Sequence, residues 1–207
     1  MAQPRQREPL PTARGRQTQA AIDAAARAVI ARKGILAATV SDIAAEAGRS
    51  TASFYNYYDS KEAMISEWAE RFRDEANNRA KSVTRHGLSN RQRAHEAAAA
   101  HWHTYRHRLA EMIGVSQLAM VNADFAEHWT QICHGPISFI AETVRRAQAD
   151  GYCPGDDPQL VAVAIVSMFN QFCYVQLSGD RTGIDDQACI TTLANIFYRA
   201  IYSKEAA

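Results

Sequence analysis

Residues 39–61 read T-V-S-D-I-A-A-E-A-G-R-S-T-A-S-F-Y-N-Y-Y-D-S-K, and this stretch decides the fold. Thr39 followed by Asp42 is a helix-starting pair: the hydroxyl accepts from the backbone and the carboxylate reaches back to it. Val40, Ile43, Ala44 and Ala47 then place an apolar stripe on one helical face, and Gly48 stops it. Ser50 caps a further short helix that runs to about Tyr57. Ala44 is small enough for the two helices to cross closely, and Gly48 supplies the backbone freedom of the turn. Ile43, Ala47, Phe54 and Tyr58 face inward in this arrangement. Thr51, Ala52 and Ser53 are left facing outward, and in a helix-turn-helix those positions reach base edges in the major groove.

The outward residues suit that task. Thr51 and Ser53 can bond to bases or phosphates, and Ala52 can touch a thymine methyl. Asn56 can pair with adenine through two hydrogen bonds if its side chain faces the groove. Tyr55 and Tyr57 carry phenol hydroxyls toward the phosphate backbone. Lys61 stands in the first turn of the next helix, where its charge opposes the helix dipole and an adjacent phosphate offsets the cost. Thr39, Ser41, Arg49 and Ser50 complete the candidate DNA-binding set.

Upstream, Ile22, Ala25, Ala26, Val29 and Ile30 form one helical stripe, closed by Gly34 with Arg32 and Lys33 in the last turn. Residues 1–16 read as a flexible basic arm, with Pro4, Pro9 and Pro11 between Arg5, Arg7, Arg14 and Arg16. Such an arm is either a solvated tail or a strand laid along DNA. Downstream, Asp59 or Ser60 caps a fourth helix whose stripe is Met64, Ile65, Trp68 and Phe72. Past a polar break at 86–89, the pattern predicts helices near 90–108, 109–122, 124–150, 157–178 and 185–202. Gly151, the loop 154–158 and Ser178-Gly179-Asp180 punctuate them, and Gly135-Pro136 is expected to kink or restart the third. There is no alternating strand pattern and no repeat. The predicted fold is all-α: an N-terminal three-helix helix-turn-helix head and a C-terminal helical bundle, about nine helices in all. The expected division is an arm at 1–16, a DNA-binding head at 17–62, and a ligand-binding and dimerisation body at 63–207.

Composition bounds the function. With 207 residues, 47% hydrophobic and 22% charged, the chain can bury a real core. Residues 1–61 hold nine Lys/Arg against five Asp/Glu, and the remainder fourteen against seventeen. A basic head on an acidic body suits a protein that meets phosphate at one end. No apolar run reads as a membrane span and the first residues lack a secretory signal, so a cytoplasmic location is expected. Cys133, Cys153, Cys173 and Cys189 are too scattered for a zinc site and read as unpaired thiols. His103 and His107 have metal-ligand spacing on a helix, within a set that includes His95 and His101. Arg106 and Arg108 beside them disfavour a cation, and no metal is assigned. The segment Gly114-Val115-Ser116-Gln117-Leu118 lacks the second glycine of a nucleophile elbow. Phosphate-binding, dinucleotide and zinc-protease motifs are missing too, so no enzyme and no cofactor are expected.

Residues from about 16 to 68 resemble the DNA-binding head of the Tet repressor family. The landmarks are Ile22 with Ala25-Ala26, Gly34, Asp42-Ile43-Ala44, Ala47-Gly48, Ser50, Phe54-Tyr55, Tyr57-Tyr58 and Ser60-Lys61-Glu62-Ala63-Met64. Arg49 stands where the family usually has valine, with a head group free to seek a phosphate or Glu46, and Asp59 where it often has proline. The resemblance implies a homodimer joined through the last two helices, gripping a near-palindromic operator. It also implies a body cavity for a small-molecule effector that releases a repressor from double-stranded DNA. An activator or ligand-independent regulator of the same fold, or a helical interaction module, are the alternatives. The candidate ligand-binding residues are Trp102, Tyr105, Met112, Gln117, Met120, Phe125, Trp129, Phe169, Asn170, Phe172 and Cys173. Asn122, Gln171 and Tyr174 are further polar candidates. Helix 157–178, apolar nearly all round, calls for burial on every side, partly by another subunit.

Overall fold

A computed structural model describes residues 12–80, 87–153, 155–178 and 183–202, with the side chains of 72–80 excepted. The expected arm at 1–16 falls mostly outside the described residues. So do the side chain of Phe72, His86 of the polar break, Pro154, and Gly179-Asp180. Among the described residues the chain forms nine helices and no strand. They are α1 (Ala13–Ala37), α2 (Val40–Glu46), α3 (Thr51–Tyr55), α4 (Lys61–Ala80), α5 (Asn90–His107), α6 (Leu109–Ala119), α7 (Ala123–Ala149), α8 (Pro158–Leu177) and α9 (Asp186–Tyr202). The all-α reading and the order of elements hold.

Sequence chemistry sets the boundaries. Thr39 and Asp42 close the expected box on α2, and Ser89 with Gln92 makes the same reciprocal cap on α5. Ser60 Oγ accepts from Ala63 N at 3.0 Å at the start of α4. Asp157 caps α8 with Pro158 in the first turn, where a missing N–H costs nothing. Two details differ from expectation. The helix of α1 is interrupted at Gly34 (φ 74°, ψ 164°) but resumes for one turn to Ala37. Helix α7 runs through Pro136 as one element.

Two apolar cores stack end to end. The upper core joins Ile22, Val29, Ile30, Ile43, Phe54, Tyr58, Ile65 and Trp68 of the head to Ile113, Val115, Leu118 and Phe125 of α6 and α7. The lower core gathers Ala98, Trp102, Tyr105, Val144, Ile165, Phe169, Leu193 and Phe197 from α5, α7, α8 and α9. Leu109, Trp129, Ile132 and Tyr174 pack on both, so packing is continuous from head to body. Burying one such side chain stabilises by about 1.5–3 kcal/mol. Helix α6 lies along α1, α5 along α9, and α7 along α8.

By length and composition α8 would pass for a membrane span, which the sequence pattern alone did not suggest. Here Ala162, Ile165, Val166, Phe169 and Cys173 bury one side of it in the lower core. The opposite face, expected to be buried, is open in the single chain. Leu160 is 70% exposed, Val163 40% and Val175 41%.

Candidate nucleic-acid interface and its link to the body

The turn between α2 and α3 closes with two nested hydrogen bonds. Gly48 N donates to Ala45 O at 3.1 Å and Arg49 N to Ala44 O at 2.9 Å. This is the glycine-terminated helix end in which the residue at φ 61° must tolerate the left-handed region. Ser50 Oγ then accepts from Ser53 N at 3.2 Å and starts α3. Phe54 and Tyr58 are buried beneath it with ring centroids 5.6 Å apart. Their burial turns the other side of α3 to solvent. Arg49, Ser50, Thr51, Ala52, Tyr55 and Asn56 are exposed there, Ser53 and Tyr57 are half-buried, and Thr39 and Ser41 are exposed at the start of α2. Among the described residues nothing covers this edge.

Lys61 is placed differently from its expected role. Its ammonium donates to Ile35 O and Ala38 O, both at 2.8 Å, and so satisfies carbonyls left open where α1 ends. Glu46, offered above as a partner for Arg49, pairs instead with Arg32 at 2.8 Å. Lys33 meets Asp42 at 3.0 Å, and bonds from Thr39 with that cation hold the Asp42 carboxyl down at about 2. Tyr58 donates to Asp23 Oδ1 at 2.6 Å and accepts from Gln19 Nε2 at 3.2 Å. Burial, reinforced by Asp23, raises that phenol to about 12. These links fasten α1, α2 and the start of α4 into one unit that presents α3.

The unit is also wired to α6. Glu111, 2% exposed, receives Arg27 Nε at 3.1 Å on Oε1, with Arg108 at 3.6 Å from the same oxygen. The Arg27 guanidinium lies over Trp68, 4.4 Å from the ring centroid. One turn and a half further on, Gln117 Oε1 accepts from Ile35 N at 2.9 Å. A Cβ on Gly34 would lie 2.6 Å from that same oxygen, so a side chain there would displace the Gln117 amide. Ala31, Gly34, Ile113, Gln117, Tyr174 and Ser178 border a cleft of about 220 Å³ at this junction, with Arg32 and Lys33 on its rim. Arg27 and Glu111 did not stand out in the sequence, and Arg108 was read only as a neighbour of the histidines. The available signal was a lone carboxylate inside the apolar run 109–118.

The expected ligand-binding residues divide by place. Trp102, Tyr105, Met112, Phe169 and Cys173 are buried in the lower core, with Phe172 and Trp129 packed against it and Asn170 half-buried on α8. Phe125 belongs to the upper core, and Gln117 is committed to Ile35 at the junction. Met120 is 83% exposed at the turn after α6, which removes it from any interior site. Asn122 is the cap of α7 and Gln171 is exposed. His103 and His107 are exposed, whereas His101 turns inward, where burial lowers its imidazole to about 4. Among the described residues no three His, Cys, Asp or Glu side chains converge on a point where a metal could sit.

Comparison with known proteins places this architecture. The sequence profile of bacterial regulatory proteins of the tetR family matches residues 22–67. The C-terminal domain of the transcriptional regulator EthR matches residues 92–203, more than half of the chain. The chain belongs to the tetR family. The HTH-type transcriptional repressor KstR2 of Rhodococcus jostii is 30% identical over 129 residues, which span 56% of this chain and 62% of that protein. The regulator EthR of Mycolicibacterium smegmatis is 22% identical over 91% of this chain and 88% of its own. The solved ketosteroid regulator KstR2 of Mycobacterium tuberculosis superposes with a TM-score of 0.69 at 20% identity, covering 91% of this chain and 96% of that one. The fatty acid degradation regulator FadR of Bacillus halodurans gives 0.60 at 21% identity, over 93% and 97%. These structures establish the fold. As a tetR-family member the protein is a helix-turn-helix regulator of transcription, and its relatives are regulators rather than enzymes.

Proposed function

We propose that the protein is a homodimeric repressor that holds a near-palindromic operator and leaves it when a small, largely apolar molecule enters the body. The observation that carries DNA reading is the uncovered edge of α3, with Thr51, Ala52, Tyr55 and Asn56 exposed on a buried Phe54–Tyr58 support. Two such edges, about 34–36 Å apart, enter successive major grooves. In this reading Thr51, Ala52, Ser53 and Asn56 meet bases. Thr39, Ser41, Arg49, Ser50, Tyr55 and Tyr57 meet the phosphate backbone, and Lys61 shares its ammonium between α1 and a phosphate.

The open face of α8 supports the dimer. Leu160, Val163, Ala164 and Val175 recur at helical spacing on it, beside the exposed Ala188, Thr192, Ile196 and Ala200 of α9. Small residues on α9 permit close approach, and pairing these faces with their copies removes the apolar surface from water. In the body, Trp102, Tyr105, Met112, Phe169, Phe172 and Cys173 line the ligand site, between helices that can part. Helix α6 then carries the change to the head through Glu111 and Gln117. A coupling of about 1–3 kcal/mol weakens operator binding roughly 5–150-fold. KstR2 is described as a ketosteroid regulator and FadR as a fatty acid degradation regulator, which favours a lipid-like effector here. The test is selection of bound duplexes from random DNA, followed by a screen for compounds that release the winner. A two-fold symmetric consensus and a releasing compound are expected; no enrichment of any sequence would refute the reading.

A further inference from the structure

The cleft of about 220 Å³ where head meets body is lined by three side chains with donors to spare. They are Gln117 of α6, Tyr174 near the end of α8 and Ser178 at its cap, all half-buried. The Gln117 amide is oriented by Ile35 N: an N–H must meet the carbonyl oxygen, so Oε1 is the end committed to α1 and Nε2 is left over. Among the described residues Gln117 Nε2, Tyr174 Oη and Ser178 Oγ have no hydrogen-bond partner. Ala31 and the buried Ile113 supply an apolar wall. Among the described residues no acidic side chain lines the cleft, whereas Arg32 and Lys33 stand on its rim.

Unused donors around one cleft call for an acceptor. Arg32 pairs with Glu46 at 2.8 Å and Lys33 with Asp42 at 3.0 Å. These are exposed pairs, which hold weakly, and each cation keeps further N–H protons. A carboxylate offers lone pairs enough for the amide, the phenol and the hydroxyl together, and it draws on the rim cations as well. The C-terminal end of α8 disfavours an anion, but that is the effect of a partial charge, which full charges on the rim outweigh. The space is small, room for about seven waters at ~30 Å³ each, which limits the ligand to a few carbons or a single ring. We infer that this cleft binds a small carboxylate, its charged end held by Gln117, Tyr174 and Ser178 and its apolar end set against Ala31 and Ile113. The site is separate from the apolar one proposed within the body and does not depend on it. Its occupant touches α1, α6 and α8 at once, and so joins head to body.

The full-length protein is titrated by calorimetry with butyrate and benzoate, each beside its amide and its alcohol. The acid that fits is expected to bind about tenfold tighter than its amide or alcohol and to raise the melting temperature. Gln117→Glu keeps an oxygen for Ile35 N–H but puts a negative charge where the donor stood. It is expected to abolish carboxylate binding while leaving the melting temperature of the ligand-free protein nearly unchanged. Tyr174→Phe and Ser178→Ala are each expected to weaken binding about three- to tenfold, and they decide the matter if Gln117→Glu fails to fold. Amides or alcohols binding as tightly as the acids would overturn the inference. So would carboxylate binding that is unchanged in Tyr174→Phe and Ser178→Ala, or the failure of both acids to bind the folded protein at millimolar concentration.

Discussion

At the residue scale, side chains from distant parts of the chain decide how the head is held. Glu111 is a buried carboxylate with two arginines on one oxygen, and Glu111→Ala leaves both without their anion. Because Arg27 is 38% exposed, water compensates part of that loss. An expected cost of about 1–3 kcal/mol should appear in urea unfolding. Gly34→Ala forces a Cβ into the left-handed region and against Gln117, and is expected to cost about 1–3 kcal/mol. Gln117→Ala in the same chain should restore part of it, a non-additivity that a double-mutant cycle measures. His101 carries the pH dependence. Its folded value near 4 lies below the ordinary 6.5, so between those values the unfolded chain binds a proton that the native chain refuses. Stability therefore falls as pH drops through that window, and His101→Phe should flatten the curve there. Asp42, held near 2, gives stability that is present above 3.8 and lost only as pH falls below it, a separate and more acid step. Of these residues the sequence revealed only Gly34 and the Asp42 box, because both act on their immediate neighbours. Arg27 beside Glu111, the carbonyls that receive Lys61 and the Phe169 ring against His101 lie on other helices, and no local pattern encodes a contact between Lys61 and the carbonyl of Ile35.

At the scale of elements, α3 is only five residues long and depends on its cap. Ser50→Ala is expected to lower stability by about 1 kcal/mol and weaken DNA binding with it. Ser50→Asp separates the two effects: a carboxylate caps as well as a hydroxyl, but it repels phosphate. Unchanged thermal unfolding with weakened DNA binding is expected of Ser50→Asp, checked by calorimetry beside fluorescence anisotropy. The helices themselves were legible because each shows a period of three to four with a cap or glycine at its ends, as in Thr39, Gly48 and Ser50. The extra turn beyond the break at Gly34 and the unbroken course through Pro136 were not legible in those local signals. The need of α8 for a second surface was legible too. Its sequence demands cover on all sides, and one chain supplies cover on one side only.

At the scale of the whole molecule, the continuous packing from α3 through α1 and α6 to α8 makes the body and the DNA-reading edge one mechanical object. If α8 and α9 join two copies, a charge at their exposed centre must separate them. Val163→Lys is expected to convert dimer to monomer in analytical ultracentrifugation and to weaken operator binding, while leaving the helical content unchanged. The all-α head and bundle could be read from the sequence. The ligand site could be placed only by resemblance, and its contents, such as Met120 and Gln117, shifted once the helices were in position. The most direct test of the account is hydroxyl-radical footprinting on the selected operator. It should show two equal protected stretches centred about one helical turn apart, both lost in a Thr51→Glu variant that still folds. A single protected stretch, or a footprint indifferent to Thr51→Glu, would contradict it.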